Sequence, residues 1–259
     1  MIVYPDIETM PFVEDAVVTI GTFDVVHLAH RAVLEEVVQS AKSIKGKAVV
    51  ITFFPHPREV TDPDSEVRLL STKTEKNSLL GKSGVNIIVY INFNSTFAKT
   101  RYFDFIKLLA SKMNIRKMVV GYDHDFGQNK EGTVHNLRKI SPLYNFEVVE
   151  VPKQTADGMD VSSSIIRDAI HAGNILLANK LLGYDYEMSI VMSHCTEDYI
   201  CFNVKLKKVI PPEGIYAVNI QDKTTIMEIG RQIRVYDKDS EIRGTKKRVL
   251  RIQFLNRII

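Results

Sequence analysis

The sequence has no tryptophan and few cysteines, with Cys195 and Cys201 the two thiols in 259 residues. They form neither a C-x-x-C pair nor a cluster with metal-ligand spacing, which argues against a zinc site and against a disulfide framework. Two isolated thiols in a chain of this size are typical of a reducing compartment. We therefore expect both cysteines to be reduced and the protein to be cytoplasmic.

Long apolar runs and strongly charged tracts are also missing. Residues 1–17 carry four acidic side chains and no apolar core segment, unlike a signal peptide. No stretch approaches the roughly 20 apolar residues that a membrane-spanning helix needs, so we expect no membrane partner. The net charge of +3 suits a phosphorylated small molecule without requiring a polyanion, so nucleic acid is not expected as a partner.

The first part of the chain alternates between short β-branched runs and helical patterns. The runs that predict strands buried on both faces lie at 17–20, 48–53, 85–91, 117–120 and 146–151. Helical periodicity between them predicts helices at 27–42 and 102–112, and a capping box of Thr72 and Glu75 predicts another. This alternation is typical of an α/β domain with a parallel sheet, whose ligands bind outside the carboxyl ends of the strands.

Beyond residue 184 the pattern changes, because strand-like runs follow one another without helices. These runs lie at 186–192, 199–206, 214–220, 225–236 and 248–255. They predict a small antiparallel β-barrel or sheet. We therefore predict an α/β domain over residues 1–184 and a β domain over residues 185–259, with the boundary near Gly183, where a helical pattern ends.

The segment after the first predicted strand leads directly into a helix. It reads Gly21-Thr22-Phe23-Asp24-Val25-Val26-His27-Leu28-Ala29-His30. A helix start offers unsatisfied N–H groups and the positive end of the helix dipole, which stabilise a phosphate. His27 and His30 are three residues apart, so both imidazoles lie on one face of the first turn. Two such donors suit attack on the α-phosphorus of a nucleoside triphosphate, where negative charge builds up.

This segment also allows other interpretations. The H-x-x-H spacing alone favours one surface histidine and one structural histidine, and it is the surrounding context that reverses this preference. No H-E-x-x-H motif or cysteine cluster supplies further zinc ligands. There is no G-x-G-x-x-G, and Gly81-Lys82-Ser83 lacks the glycine of a P-loop five residues earlier, where Lys76 stands.

A second candidate phosphate site lies near residue 162. Ser162, Ser163 and Ser164 place three hydroxyls at a predicted helix start, with Arg167 one turn further on. Serines in this position often serve only as helix caps. The guanidinium of Arg167 can also grip the β- and γ-phosphates of a nucleotide, and the spacing alone leaves both interpretations open.

Four segments carry a resemblance to a known family. Residues 21–30 match G-N-F-D-G-V-H-x-G-H, and residues 52–57, Thr-Phe-Phe-Pro-His-Pro, match T-F-x-P-H-P. Residues 120–127 resemble V-G-x-D-F-x-F-G, and residues 162–167 resemble S-S-T-x-I-R. Order and spacing agree over roughly residues 17–186. The chain therefore resembles the prokaryotic bifunctional FAD synthetases, which phosphorylate riboflavin and adenylylate FMN.

This resemblance implies a Rossmann-like nucleotidyltransferase domain of the HxGH type that transfers AMP from ATP to FMN. It implies catalytic roles for His27, His30 and Arg167. The residues implied to bind ATP are Gly21, Thr22, Phe23, Asp24, Ser162, Ser163 and Ser164. The residues implied to bind the flavin are Phe54, Pro55, His56, Pro57, Asp123 and Phe126. Mg²⁺ is implied on the ATP phosphates without an identified protein ligand, and a homo-oligomer is left open.

Two glycines of the family motif are replaced here, by Val25 and by Ala29. Glycine permits positive φ and close approach of a phosphate, so Val25 requires an ordinary backbone conformation or a reshaped turn. Two alternatives to FMN adenylyltransferase therefore stay open. One is a non-catalytic or weakly active paralogue that binds flavin or nucleotide, and the other is a nucleotidyltransferase with a different phosphorylated acceptor.

The C-terminal part of the sequence predicts that riboflavin kinase activity is absent. Residues 207–218 resemble part of the family's riboflavin kinase barrel, but we find no G-R-x-L-G-x-P-T-A-N segment, no glutamate-bearing strand and no closing helices. We therefore expect no FMN from riboflavin, ATP and Mg²⁺, with a bifunctional relative as the positive control. Clear production of FMN, measured by chromatography, would contradict this prediction.

Overall fold

The computed structural model describes residues 1–62, 64, 67–195, 199–203, 207–236, 242 and 249–259, with backbone alone at 192–195 and 203. The chain divides into two compact units. The first contains Met1–Val67 and Lys76–Thr155, and the second contains Arg68–Glu75 and Ala156–Ile259. The predicted domain boundary after residue 184 stays a prediction. No helix within the described ranges has both the length and the apolar character to cross a membrane.

A parallel sheet forms the centre of the first unit, with six strands among the described residues. In chain order these are β1 (Ile2–Tyr4), β2 (Val13–Ile20), β3 (Lys47–Phe54), β4 (Ile87–Asn92), β5 (Met113–Gly121) and β6 (Glu147–Val151). Their spatial order is β1-β4-β3-β2-β5-β6, and every neighbouring pair is parallel. The central strands are buried on both faces, as their β-branched composition predicts.

Helices alternate with these strands. Their bounds are α1 (Leu28–Ser43), α2 (Pro57–Thr61), α3 (Lys73–Lys82), α4 (Tyr102–Lys112) and α5 (Val134–Ile140). Val17 and Val18 on β2 contribute to two different apolar clusters, because successive strand residues point to opposite faces. Leu34 on α1 lies in one cluster and Phe105 on α4 lies in the other. The predicted parallel α/β architecture is confirmed.

The strand order creates a switch point at the centre of the sheet. From β2 the chain adds β3 and β4 on one side, then crosses to add β5 and β6 on the other. The carboxyl ends of these strands lie at one edge of the sheet, since Ile20 pairs with Ile51 and Gly121 pairs with Val151, and β3 continues to Phe54 beyond the end of β2. Ligands of open parallel sheets bind outside the carboxyl ends at such a point. The segments after β2, β3 and β5 are therefore positioned to form a site.

The second unit contains an antiparallel barrel that closes among the described residues. After a short pair, β7 (Thr155–Ala156) and β8 (Met159–Asp160), come β9 (Tyr186–Cys195), β10 (Tyr199–Asn203), β11 (Gly214–Ile220), β12 (Lys223–Ile229), β13 (Ile233–Tyr236) and β14 (Val249–Arg257). The barrel order is β10-β13-β12-β11-β14-β9, with β9 pairing β10. The small antiparallel β domain is confirmed as a closed barrel.

One predicted strand was wrong in its extent. The run at 225–236 forms two strands, because the chain turns at Gly230 and pairs Ile229 with Ile233. A single glycine was too weak a turn signal in a β-rich run. Residues 204–206 and 248, which were also predicted to be in strands, lie outside the described residues.

Two helices precede the barrel in the second unit, α6 (Ser163–His171) and α7 (Ile175–Leu182). Gly183 ends α7 with φ 77°, a left-handed conformation that glycine adopts without strain. Asn179 of α7 donates to the carbonyl oxygen of Phe254 at 2.7 Å and accepts from the backbone N–H of Tyr186 at 2.8 Å. These bonds fix α7 to the strands at which the barrel begins and ends.

A buried ion pair lies in the second unit. The ammonium of Lys208 donates to Glu75 Oε2 at 2.6 Å and to the carbonyl oxygen of Glu187 at 2.5 Å. The side chains of Lys208 and Glu75 are 2% and 4% exposed. Backbone N–H groups of Thr72 and Ser189 also donate to the Glu75 carboxylate. Burial acts to raise the pKa of Glu75, but Lys208 and these bonds outweigh it and lower the pKa.

We predict that Lys208→Met destabilises the second unit by about 3–5 kcal/mol, because it leaves the Glu75 carboxylate buried without a cation. Far-UV circular dichroism during urea unfolding measures this change in a chain that has no tryptophan. The control is Lys180→Met, which removes an ion pair with Asp157 whose side chains are 51% and 61% exposed and costs at most about 1 kcal/mol. Equal losses in the two variants would contradict the prediction.

Candidate active site

The turn after β2 is held tightly against β3. The backbone N–H of Gly21 donates to the carbonyl oxygen of Ile51 at 3.0 Å, and the Thr52 hydroxyl donates to the carbonyl oxygen of Thr22 at 3.0 Å. A Cβ atom at position 21 would lie 2.9 Å from the Phe23 ring, so this glycine is needed for the close approach. Phe23 has φ 44°, so the strained residue of the turn is Phe23.

His27 and His30 lie together at the start of α1, as their spacing predicts. His27 is the N-cap residue, and its Nδ1 accepts from the backbone N–H of His30 at 3.3 Å. The Nδ1 of His30 lies 2.6 Å from the carbonyl oxygen of Val25. The two rings are stacked, with centroids 3.7 Å apart and planes at 10°. Helix capping and ring stacking thus fix both side chains.

These hydrogen bonds determine where each neutral ring carries its proton. The Nδ1 of His27 accepts, so its proton is on Nε2, whereas the Nδ1 of His30 donates to a carbonyl and leaves its Nε2 as an acceptor. Burial, reinforced by the charge of His30, lowers the pKa of His27 to about 2. Burial also lowers the pKa of His30 to about 4. Near neutral pH the pair therefore offers one N–H donor and one lone pair.

A buried lysine completes the turn and was not predicted from the sequence. The ammonium of Lys76 donates to the carbonyl oxygen of Thr22 at 2.6 Å, and the residue is buried. Its positive charge lowers the pKa of His30, whereas the buried Asp24 raises it. Lys76 is far from the turn in sequence, and no local motif marks it. The fold thus brings a cation to the histidine pair.

The segment after β3 presents an aromatic ring to solvent. Phe54 is 49% exposed, and its ring meets the edge of Tyr90 at 6.5 Å between centroids. His56 is the N-cap of α2, where its Nδ1 accepts from the backbone N–H of Arg58 at 3.2 Å, and Pro57 is the first helical residue. His56 and Pro57 therefore have a structural role at the start of α2. Flavin binding by residues 54–57 stays a prediction.

The segment after β5 contains Asp123 and Phe126. Asp123 is exposed, in keeping with a ligand-binding role. Phe126 is buried in an apolar cluster and meets the edge of the Phe105 ring at 5.9 Å between centroids. This packing gives Phe126 a structural role, and flavin binding by Asp123 and Phe126 stays a prediction.

The serine and arginine candidates belong to the second unit. Ser162 is the N-cap of α6, and its hydroxyl accepts from the backbone N–H of Ile165 at 3.3 Å, so the capping interpretation is confirmed for Ser162. Ser163 and Ser164 form the first turn of the helix. Arg167 donates from Nε to the carbonyl oxygen of Arg68 at 3.4 Å. The approach of these residues to His27 and His30 stays a prediction.

The fold and the histidine pair together define a class, the nucleotidyltransferases of the HxGH type. A family model described as FAD synthetase matches residues 10–165. A bifunctional riboflavin kinase/FMN adenylyltransferase from Buchnera aphidicola subsp. Schizaphis graminum is 32% identical over 214 residues, which are 80% of this chain and 69% of that protein. The chain belongs to the FAD synthetase family.

A further relative agrees with this assignment, and a solved structure shares the fold. A bifunctional riboflavin kinase/FMN adenylyltransferase from Listeria monocytogenes is 32% identical over 213 residues, covering 79% of this chain and 68% of that protein. A solved structure titled as a macrolide-efflux protein from Streptococcus pneumoniae has a TM-score of 0.86 and covers 99% of this chain and 90% of that chain. At 24% sequence identity, this similarity shows a shared fold and nothing about function.

We predict that ¹⁵N NMR of the histidine rings finds His27 protonated on Nε2 and His30 on Nδ1 at pH 7, with neither ring titrating above about pH 5. Both pKa values are lowered on folding from the ordinary value of 6.5. The unfolded chain therefore binds protons that the folded chain does not, and stability falls as pH drops from about 6.5 towards 4. His30→Asn should flatten this fall, and a ring titrating near 6.5 would contradict the prediction.

Proposed function

We propose that this chain transfers AMP from ATP to FMN, giving FAD and pyrophosphate, and that it has no riboflavin kinase activity. The observation that carries the proposal is the stacked pair of His27 and His30 at a helix start, on the switch point of the parallel sheet. Membership of the FAD synthetase family supports it, and the matched region, residues 10–165, contains this pair.

In the proposed reaction, an oxygen of the FMN phosphate attacks the α-phosphorus of ATP. A new phosphorus–oxygen bond forms, the bond to the β-phosphate breaks, and pyrophosphate leaves with the electron pair. Negative charge builds on the α-phosphate oxygens and on the leaving group. The N–H groups at the start of α1, the Nε2–H of His27 and the ammonium of Lys76 supply positive charge and hydrogen bonds for these oxygens.

His30 changes its role when nucleotide binds. In the free protein its Nε2 carries a lone pair, which would repel a phosphate oxygen. A bound phosphate favours the charged form of the ring and raises its pKa. We therefore propose that His30 takes up a proton as ATP binds, so that it and His27 both donate from Nε2 to the nucleotide.

The way the turn accommodates Val25 removes one reason for the non-catalytic alternative. Val25 is buried and is not among the residues with positive φ. Its carbonyl oxygen accepts the hydrogen bond that orients His30. The turn therefore accommodates valine while keeping the histidine pair in place.

The remaining substrate contacts follow the family motif. We propose that the turn of Gly21 to Asp24 and the α6 start at Ser162 to Ser164 bind ATP, with Arg167 on the β- and γ-phosphates. Phe54 provides an exposed ring against which the isoalloxazine can stack. The described residues contain no group of three or more His, Cys, Asp or Glu side chains that could hold a metal ion, so we propose that Mg²⁺ enters with ATP.

The proposal is tested by incubating the protein with FMN, ATP and Mg²⁺ and measuring FAD and pyrophosphate. We predict that His27→Asn lowers kcat by about 10²–10³-fold, because it removes one transition-state donor, while ATP affinity changes little. Asparagine is a favoured N-cap residue and preserves α1, whereas His27→Ala also costs about 0.5–2 kcal/mol of stability.

The outcomes separate the alternatives. FMN and ATP binding without any FAD or pyrophosphate would support the non-catalytic paralogue. Pyrophosphate release with another phosphorylated acceptor, and none with FMN, would support a different substrate. An unchanged kcat in His27→Asn would exclude this imidazole from the chemistry.

A further inference from the structure

His124 has a buried ring nitrogen that the proposed reaction does not use. The ring is half-buried, and Nε2 is buried without a hydrogen-bond partner in the part of the chain that the structure describes. Buried polar atoms are normally paired, and an exception needs an explanation such as a ligand. Position 124 is also a departure, because the family motif that residues 120–127 resemble has phenylalanine there.

The position of His124 relates it to the histidine pair. It lies in the segment after β5, and β5 is paired with β2, the strand that leads to His27 and His30. Gly121, whose carbonyl oxygen accepts from the backbone N–H of His124, lies against α1, because a Cβ atom at Gly121 would be 4.0 Å from Val33 Cγ2. An electrostatic effect of His124 that lowers the pKa of His30 is in keeping with this position. His124 therefore lies near the start of α1, on the side of β2 that faces β5.

The ring of His124 is held in place by its surroundings. Its backbone N–H donates to the carbonyl oxygen of Gly121 at 3.1 Å, which forms a turn at the end of β5. The ring lies 5.6 Å from the Phe126 ring, which is itself packed in the apolar core. Burial lowers the pKa of His124 to about 4 against the opposing effects of Asp125 and Asp123. The ring is therefore neutral near pH 7 and can carry its proton on Nε2.

The two sides of the site differ in chemistry. The exposed ring of Phe54 follows β3, on one side of β2, whereas His124 follows β5, on the other. An aromatic wall suits the flavin ring, and a nitrogen beside His30 suits a phosphate. We propose that His124 is a specificity-determining residue that donates a hydrogen bond from Nε2 to the phosphate of FMN. This inference rests on the proposed function and extends it to discrimination between FMN and riboflavin.

The test compares the affinities of the protein for FMN and for riboflavin. Both are measured by the quenching of flavin fluorescence on binding. The variant His124→Phe keeps an aromatic ring, restores the motif residue and removes both nitrogens. We expect FMN affinity to fall about tenfold or more, since the lost bond is to a charged acceptor, while riboflavin affinity is unchanged. His124→Gln, whose amide nitrogen occupies a position similar to Nε2, should restore most of the preference for FMN.

Matched controls define the outcome. His135→Phe makes the same substitution at an exposed residue of α5 and should leave both affinities unchanged. If His124→Phe lowers the affinities for FMN and for riboflavin equally, His124 contacts the isoalloxazine ring that both share. That result would overturn the inference. It is also overturned if neither affinity changes, or if wild type binds FMN no more tightly than riboflavin. If His124→Phe loses its folded circular dichroism signal, His124→Leu makes the same comparison.

The binding test is independent of turnover. A loss of FMN preference in His124→Phe, together with no FAD formation by wild type, would refute the proposed reaction and leave the role of His124 standing. FAD formation by wild type with an unchanged preference in His124→Phe would refute the role of His124 alone.

Discussion

The site depends on two hydrogen bonds at the start of α1. The Nδ1 of His27 caps the helix, and the Nδ1 of His30 donates to the carbonyl oxygen of Val25. Both bonds use the same nitrogen of each ring, so both Nε2 atoms stay available to a ligand. Stacking at 3.7 Å requires that the rings are not both charged, and burial ensures this by lowering both pKa values. The histidine pair is thus neutral in the free protein, and we propose that it gains charge when a nucleotide binds.

The parallel sheet gives this helix start its neighbours. Because β2 lies between β3 and β5, the segments that follow these three strands emerge at one edge. One supplies an exposed aromatic ring at Phe54, one supplies the histidines, and one supplies His124. Lys76 adds a cation against the turn itself. Loop groups of different chemistry thus surround the edge of the parallel sheet, while the side chains of the strands pack in the apolar core.

The second unit includes a segment that is separated in sequence from the rest of that unit. Arg68–Glu75 is flanked in sequence by segments of the first unit, yet it belongs with the barrel. Glu75 forms the buried ion pair with Lys208, and the backbone of Leu69 bonds to that of Lys207 and Val209. The contacts that place this short segment are therefore made with residues distant in sequence.

The sequence by itself determined the features that depend on neighbouring residues. It predicted the alternating strands and helices, the capping box of Thr72 and Glu75, the histidine pair and the family, because periodicity, capping and motif spacing are local. Tertiary structure decided the rest. It placed Lys76 and His124 beside the histidines, divided residues 225–236 into two strands and fixed the tautomers. Burial and charge coupling depend on segments far apart in the chain, and no local pattern records them.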